Sequence, residues 1–174
     1  KLAGKGMFCD YLAKKYQAKT VRFSQILDDI LNTLYLPKSR NNEIALVLAL
    51  REKFGKDVLA YVIKKDIEKN PDELIVVDGI RYPEEVNILK TLPKFFIVYI
   101  TAPLELRYDR AIRRKEKDDE NSMSFEEFKQ QEEAPTEVFI ALLGQHADYK
   151  IENTEDLSAY HKHIDAFYKE FSKR

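Results

Sequence analysis

A three-layer α/β domain built around a parallel sheet is the fold class this sequence predicts. Three observations predict it. Short apolar runs such as LIVVD and FFIVYI are bounded by polar turns, as strands buried on both faces require. Longer stretches between them repeat their apolar residues at the helical period. The two kinds of segment alternate, the order that joins parallel strands through helical crossovers. At 174 residues the chain suits one domain, 1–174, with a sizeable core.

The first helix is expected over Met7 to Tyr16, followed by a short strand at Lys19 to Phe23. Ser24 then reads as the N-cap of a helix from Gln25 to Leu34. Pro37 breaks that helix, and Ser39 caps an apolar one from Arg40 to Phe54 that Gly55 ends. A further helix runs from Lys56 to about Lys69, before Asn70-Pro71. Leu74 to Asp78 is a buried parallel strand, and Pro83 opens the next helix, which Pro93 closes. Phe95 to Ile100 is another strand, leading into a helix over Pro103 to Lys117 and a polar break, Lys117 to Ser122. Ser124 and Glu127 have capping-box spacing for the helix after it. A strand at Tyr149 to Ile151 precedes a last helix from Glu155 to Phe171. The order calls for one more strand ahead of Lys1, because the sheet would otherwise expose unpaired edges in its middle.

Composition narrows the function classes. The 29 basic and 30 acidic side chains leave a formal charge of −1, so no basic excess points to nucleic acid or membrane as the main partner. There is no run of 18 apolar residues and no signal-peptide pattern. A single cysteine, Cys9, excludes an internal disulfide and suits a reducing cytoplasm. His161 and His163 share no helical face and His146 lies apart, so the histidines form no metal pattern.

Two of the five glycines fall in the first six residues, Lys-Leu-Ala-Gly4-Lys5-Gly6. These match the back half of a phosphate-binding loop, G-x-x-x-x-G-K-[ST], ahead of a helix whose N-terminus would face the anion. In such a loop backbone amides cradle phosphates and the lysine reaches the β/γ oxygens. Met7 stands where the related G-K-G-[ST] form carries a hydroxyl.

Asp78-Gly79-Ile80-Arg81 follows the LIVVD strand, and ligands of open α/β sheets bind outside strand carboxyl ends. Asp78 and Arg81 therefore suit Mg²⁺ and substrate contacts, against the plainer reading of a turn cap and a surface pair with Glu84 or Glu85. Arg107, Arg110 and Arg114 share one helical face leading into the polar 117–122 segment. That is the physical form of a closing lid, about 107–124, and equally of a solvated basic face. Arg40 and Arg51 are eleven apart and share a face that would meet an anionic acceptor or simply water.

Together these features resemble the P-loop nucleotide kinase superfamily, with the nearest likeness to adenylate-kinase-related and dephospho-coenzyme A kinase-like proteins. AGKGMFCDYLAKKY, FSQIL, ALREKFGKDVLAYVI, LIVVDGIRYPEEV, APLELRYDRAIRR, FEEFKQQEE and ADYKIEN carry the resemblance, which spans nearly the whole chain. It implies an ATP-dependent phosphotransferase with a small nucleotide or nucleotide-like acceptor, and ATP and Mg²⁺ as its cofactors. It implies ATP binding by Gly4, Lys5 and Gly6, and places Asn153 of the A-D-x-x-I-x-N ending near the base. Acceptor or metal contacts fall to Asp78 and Arg81, and Arg107, Arg110 and Arg114 lie in or beside the lid. Two departures stand against it: Met7 removes a Mg²⁺ ligand, and Ser24-Gln25-Ile26-Leu27-Asp28 replaces the common S-D-x-x-R. Asp28 or Asp29, one turn on, would compensate. The alternative reading is a nucleotide-binding pseudokinase serving as sensor or partner.

Overall fold

The structure is a computed structural model that describes residues 2–71, 73–114, 124–132 and 138–173, without the side chains of Arg40, Arg114 and Gln131. Helices and short parallel strands alternate along it, forming two compact units. One unit comprises residues 1–11 with 96–174, the other residues 12–95.

The 12–95 unit is built on one parallel ladder. β1 (Lys19–Arg22) pairs with β2 (Ile75–Asp78) in register from Lys19 opposite Ile75 to Arg22 opposite Asp78. Helices α2 (Phe23–Thr33), α3 (Arg40–Phe54), α4 (Val58–Glu68) and α5 (Pro83–Leu89) complete it. Phe23 and Leu27 of α2, Leu59, Ala60 and Ile63 of α4 and Leu89 of α5 form the buried core, with Val21 and Val77 of the strands packed on it. Ser39 caps α3 as expected, its Oγ accepting from the Asn42 amide at 3.2 Å, and Gly55 ends it at φ +100°. Ser24 does not cap α2. That helix starts at Phe23, a core residue, with Arg22 in the N-cap position and no side-chain cap bond.

Glu85 organises the segment after β2. Its carboxylate is 1% exposed, and burial of a charge is tolerated only when it is fully paired. Oε2 accepts from the Arg81 and Tyr82 amides at 2.8 and 3.2 Å, tying down the first turn of α5. Oε1 takes the Arg51 guanidinium at 2.5 Å, and that guanidinium also lies 4.1 Å from the Tyr82 ring centroid.

In the other unit β3 (Val98–Thr101) pairs in parallel with β4 (Tyr149–Glu152). β3 starts three residues later than the FFIVYI run. The Ile97 amide donates to the Asp148 carboxylate at 2.7 Å, and the Phe96 ring packs edge-on against Phe171. α6 (Leu104–Arg114), α7 (Phe125–Glu132), α8 (Val138–Gln145) and α9 (Leu157–Phe171) belong here, as does the start of α1 (Lys5–Tyr16). The capping box of α7 forms: Ser124 Oγ accepts from the Glu127 amide at 3.2 Å, and Glu127 accepts from the Ser124 amide at 2.7 Å. Phe167 and Phe171 of α9 pack with Phe8, Phe96 and Tyr149.

Removing one partner from a buried ion pair leaves the other charge uncompensated. Glu85→Ala is expected to destabilise the protein by about 3–5 kcal/mol in urea unfolding. A loss under about 1 kcal/mol would show that the Arg51 pair is a solvated surface contact.

Candidate functional site

Gly4 has φ +109°, a conformation that L side chains rarely adopt. A Cβ there would lie 2.3 Å from Asn153 Nδ2 and 3.1 Å from the Tyr160 hydroxyl, so the glycine is required by space as well as by backbone. Gly6 is different. It lies in the first turn of α1, and beyond its chain neighbours and its own helix backbone no described atom comes within 4 Å of where its Cβ would stand.

Three consecutive carbonyls of this loop are captured by side chains. Leu2 O accepts from Arg110 of α6 at 3.3 Å. Ala3 O accepts from Asn153 Nδ2 at 3.0 Å. Gly4 O accepts from the Tyr160 hydroxyl of α9 at 3.0 Å, and from the Phe8 amide of α1 at 3.0 Å. Among the described residues no peptide bond is cis, and across a planar trans peptide the N–H points opposite to the C=O. Each captured carbonyl therefore turns the amide that follows it, of Ala3, Gly4 or Lys5, away from its captor. Successive amides aimed one way at a helix N-terminus make an anion-binding concavity.

The fold fixes the captors. Asn153 follows directly on β4, and its amide donates to Thr101 O at 2.8 Å, one step beyond the ladder. It is 5% exposed. Arg110 spends a second donor on Asn153 O at 2.9 Å. Tyr160 is 1% exposed, and burial, helped by Cys9 and opposed by Arg110, holds its hydroxyl well above the ordinary tyrosine range. It is therefore a neutral donor at any physiological pH.

The remaining sequence candidates fall as follows. Lys5 is exposed at the start of α1, and Met7 is 44% exposed in the same turn. Arg107 is tied within its own unit: Nε donates to Ala102 O at 3.0 Å, and the guanidinium pairs with Glu132 of α7. Arg51 is engaged by Glu85 and Tyr82. Asp78 ends β2 with its side chain 14% exposed, 3.9 Å from Arg22 Nε, and Gly79 turns the chain at φ +101°. The Arg81 amide is held by Glu85, so the segment after Asp78 is fixed from below. The Arg40 and Arg114 side chains lie outside the described residues, as do Lys115 and the polar Lys117 to Ser122 part of the expected lid. Gln25 donates to Asp29 at 2.7 Å, while Asp28 Oδ1 is buried without a hydrogen-bond partner. Among the described residues no three His, Cys, Asp or Glu side chains gather as a metal site, and no helix is long and apolar enough to cross a membrane.

Sequence reasoning missed Tyr160 and Arg22, and gave Glu85 only as a surface partner of Arg81, whereas it is buried and holds the Arg81 amide. Tyr160 sits on the core stripe of α9 and reads there as one more buried aromatic. The available signal was that a buried tyrosine hydroxyl needs a partner.

Comparison of the fold decides what carries this loop. Shikimate kinase from Acinetobacter baumannii, solved in complex with shikimate, superimposes with a TM-score of 0.55 at 16% identity, over 99% of this chain and 89% of that one. The chain has a P-loop kinase fold. In sequence it is similar to UPF0200 proteins: 26% identical to that of Sulfurisphaera tokodaii over 151 residues (86% of this chain, 82% of that protein). It is 27% identical to that of Methanothermobacter thermautotrophicus over 152 residues (87% and 76%). With that of Saccharolobus solfataricus the identity is 28% over 176 aligned positions (99% and 84%). No family model matches the chain.

Gly4 and Gly6 should respond differently to a methyl group. Gly4→Ala is expected to cost about 1–3 kcal/mol of stability, from backbone strain and the clash with Asn153. Gly6→Ala should leave stability within about 1 kcal/mol of wild type. Equal urea midpoints for the two variants would contradict the placement of Gly4.

Proposed function

We propose that the protein is an ATP-dependent phosphotransferase acting on a nucleotide or a nucleotide-like acceptor. The observation that carries the proposal is the capture of three successive loop carbonyls, which leaves the amides of Ala3, Gly4 and Lys5 pointing away from their captors at the start of α1. Such a loop suits the chain of oxygens of a polyphosphate, and an exposed Lys5 supplies the point charge for the β/γ end. The open space around Gly6 lets a ligand approach the backbone closely.

Phosphoryl transfer requires little covalent chemistry from the protein, so positioning and charge carry catalysis. An acceptor oxygen attacks the γ-phosphorus, the bond to the β,γ-bridging oxygen breaks, and ADP leaves. In this reading the loop amides and Lys5 bind and orient the phosphates. Arg81 binds the anionic end of the acceptor, and Arg110 acts through the loop it holds. Asp78 is the carboxylate suited to Mg²⁺, which keeps most of its ligands from water and phosphate and needs one or two from protein. The ion would supply neutralisation of charge developing on the phosphates. Arg107 and Arg51 are assigned to structure, since Glu132 and Glu85 occupy them.

A second reading is favoured by Met7. It is 44% exposed where the G-K-G-[ST] form has a hydroxyl, and a thioether is a poor ligand for hard Mg²⁺. On that reading the protein binds nucleotide without transferring phosphate and acts as a sensor or partner.

One experiment separates them. ATP consumption and transfer are followed for the full chain and for Lys5→Ala, against nucleoside monophosphates and dephospho-coenzyme A. The kinase reading expects wild-type transfer and at least a ~100-fold loss in Lys5→Ala, with an unchanged melting temperature. Wild-type-like turnover in Lys5→Ala would falsify it. Calorimetric ATP binding without transfer to any acceptor would select the second reading.

A further inference from the structure

We propose that Tyr160, with Asn153 and Arg110, is a positioning residue that sets the affinity of the loop for phosphate rather than for the nucleotide base. The inference rests on the phosphate-binding reading above and deepens it. Asn153, which the resemblance places near the ATP base, spends its side-chain amide on Ala3 O instead. Arg110, a lid candidate by spacing, donates to Leu2 O and Asn153 O. Tyr160 closes the series on Gly4 O. The three captors come from α6, the residue after β4, and α9, lying 108, 150 and 156 residues along the chain from the carbonyls they hold. They act on adjacent peptide groups, so each bond fixes one peptide plane and with it one amide on the opposite side.

Tyr160 is the point where this arrangement can be separated from packing. Its ring fills the core at 1% exposure, whereas its hydroxyl donates to the loop carbonyl of Gly4. Gly4 O keeps the Phe8 amide when the hydroxyl is removed, so the first turn of α1 stays closed. What is lost is the lateral tether that fixes the direction of the Gly4–Lys5 peptide. A loop free to rotate must be ordered by the ligand, and that ordering cost appears as weaker phosphate binding.

The test uses the full chain and two probes, ATP and inorganic tripolyphosphate, with binding measured by calorimetry. Tyr160→Phe is expected to weaken both probes by the same factor, roughly 5- to 10-fold, the range of one hydrogen bond. The melting temperature without ligand should stay within a few degrees. Asn153→Asp removes the donor to Ala3 O in a side chain of the same shape and should again weaken both probes equally; it decides the matter if Tyr160→Phe does not fold. Unchanged affinity for both probes overturns the proposal. So does a loss confined to ATP, since Tyr160 or Asn153 would then act at the base. If the wild-type chain binds neither probe, the phosphate-binding reading fails and the proposal with it.

Discussion

The capture of three consecutive carbonyls, those of Leu2, Ala3 and Gly4, is the constraint on which the candidate site depends. Backbone polar groups must be satisfied somewhere, and here the carbonyl half of each peptide is satisfied by a side chain, buried at Asn153 and Tyr160 and half-buried at Arg110. The amide half is thereby directed elsewhere. A strained loop, with positive φ at Leu2 and Gly4, is held in one orientation at low cost to the fold, because Asn153 and Tyr160 are themselves locked in the core. In this account, the loop's preorganisation comes from its second layer as much as from its glycines.

The 12–95 unit follows the same logic with charge. Glu85 is buried, and three donors from two elements converge on it: the Arg81 and Tyr82 amides and the Arg51 guanidinium. A buried carboxylate so completely paired gives little net stability, but losing a partner is costly. Its consequence for the site is the fixed path of the chain just after Asp78. β1 and β2 end in register there, bringing Arg22 to Asp78. Both units thus spend buried polar groups on immobilising the segment that follows a strand or opens a helix.

Much of the architecture was legible in local sequence. The strand character of KTVRF and LIVVD, the Ser39 and Gly55 ends of α3, and the Ser124–Glu127 box all follow from short-range chemistry. Local reading failed at the start of α2: the helix begins at Phe23, a core residue, and not after Ser24. The site was legible as residue types and not as roles. Gly4 and Lys5 stand out in six residues, but Arg51 and Arg107 look alike as exposed-face arginines until Glu85 and Glu132 are seen to occupy them. No pattern of period or spacing joins Tyr160 to Gly4, because the two are 156 residues apart and meet only through the fold.

The central claim, that the latched loop presents its amides to phosphate, is most directly tested by the ¹H–¹⁵N spectrum of the full chain. Titration with tripolyphosphate should move the Ala3, Gly4 and Lys5 amide resonances downfield, as charge-assisted hydrogen bonds form at them. The resonances of β1 and β2 should hold still. Shifts confined to other parts of the chain, with those three amides unmoved at saturation, would contradict it.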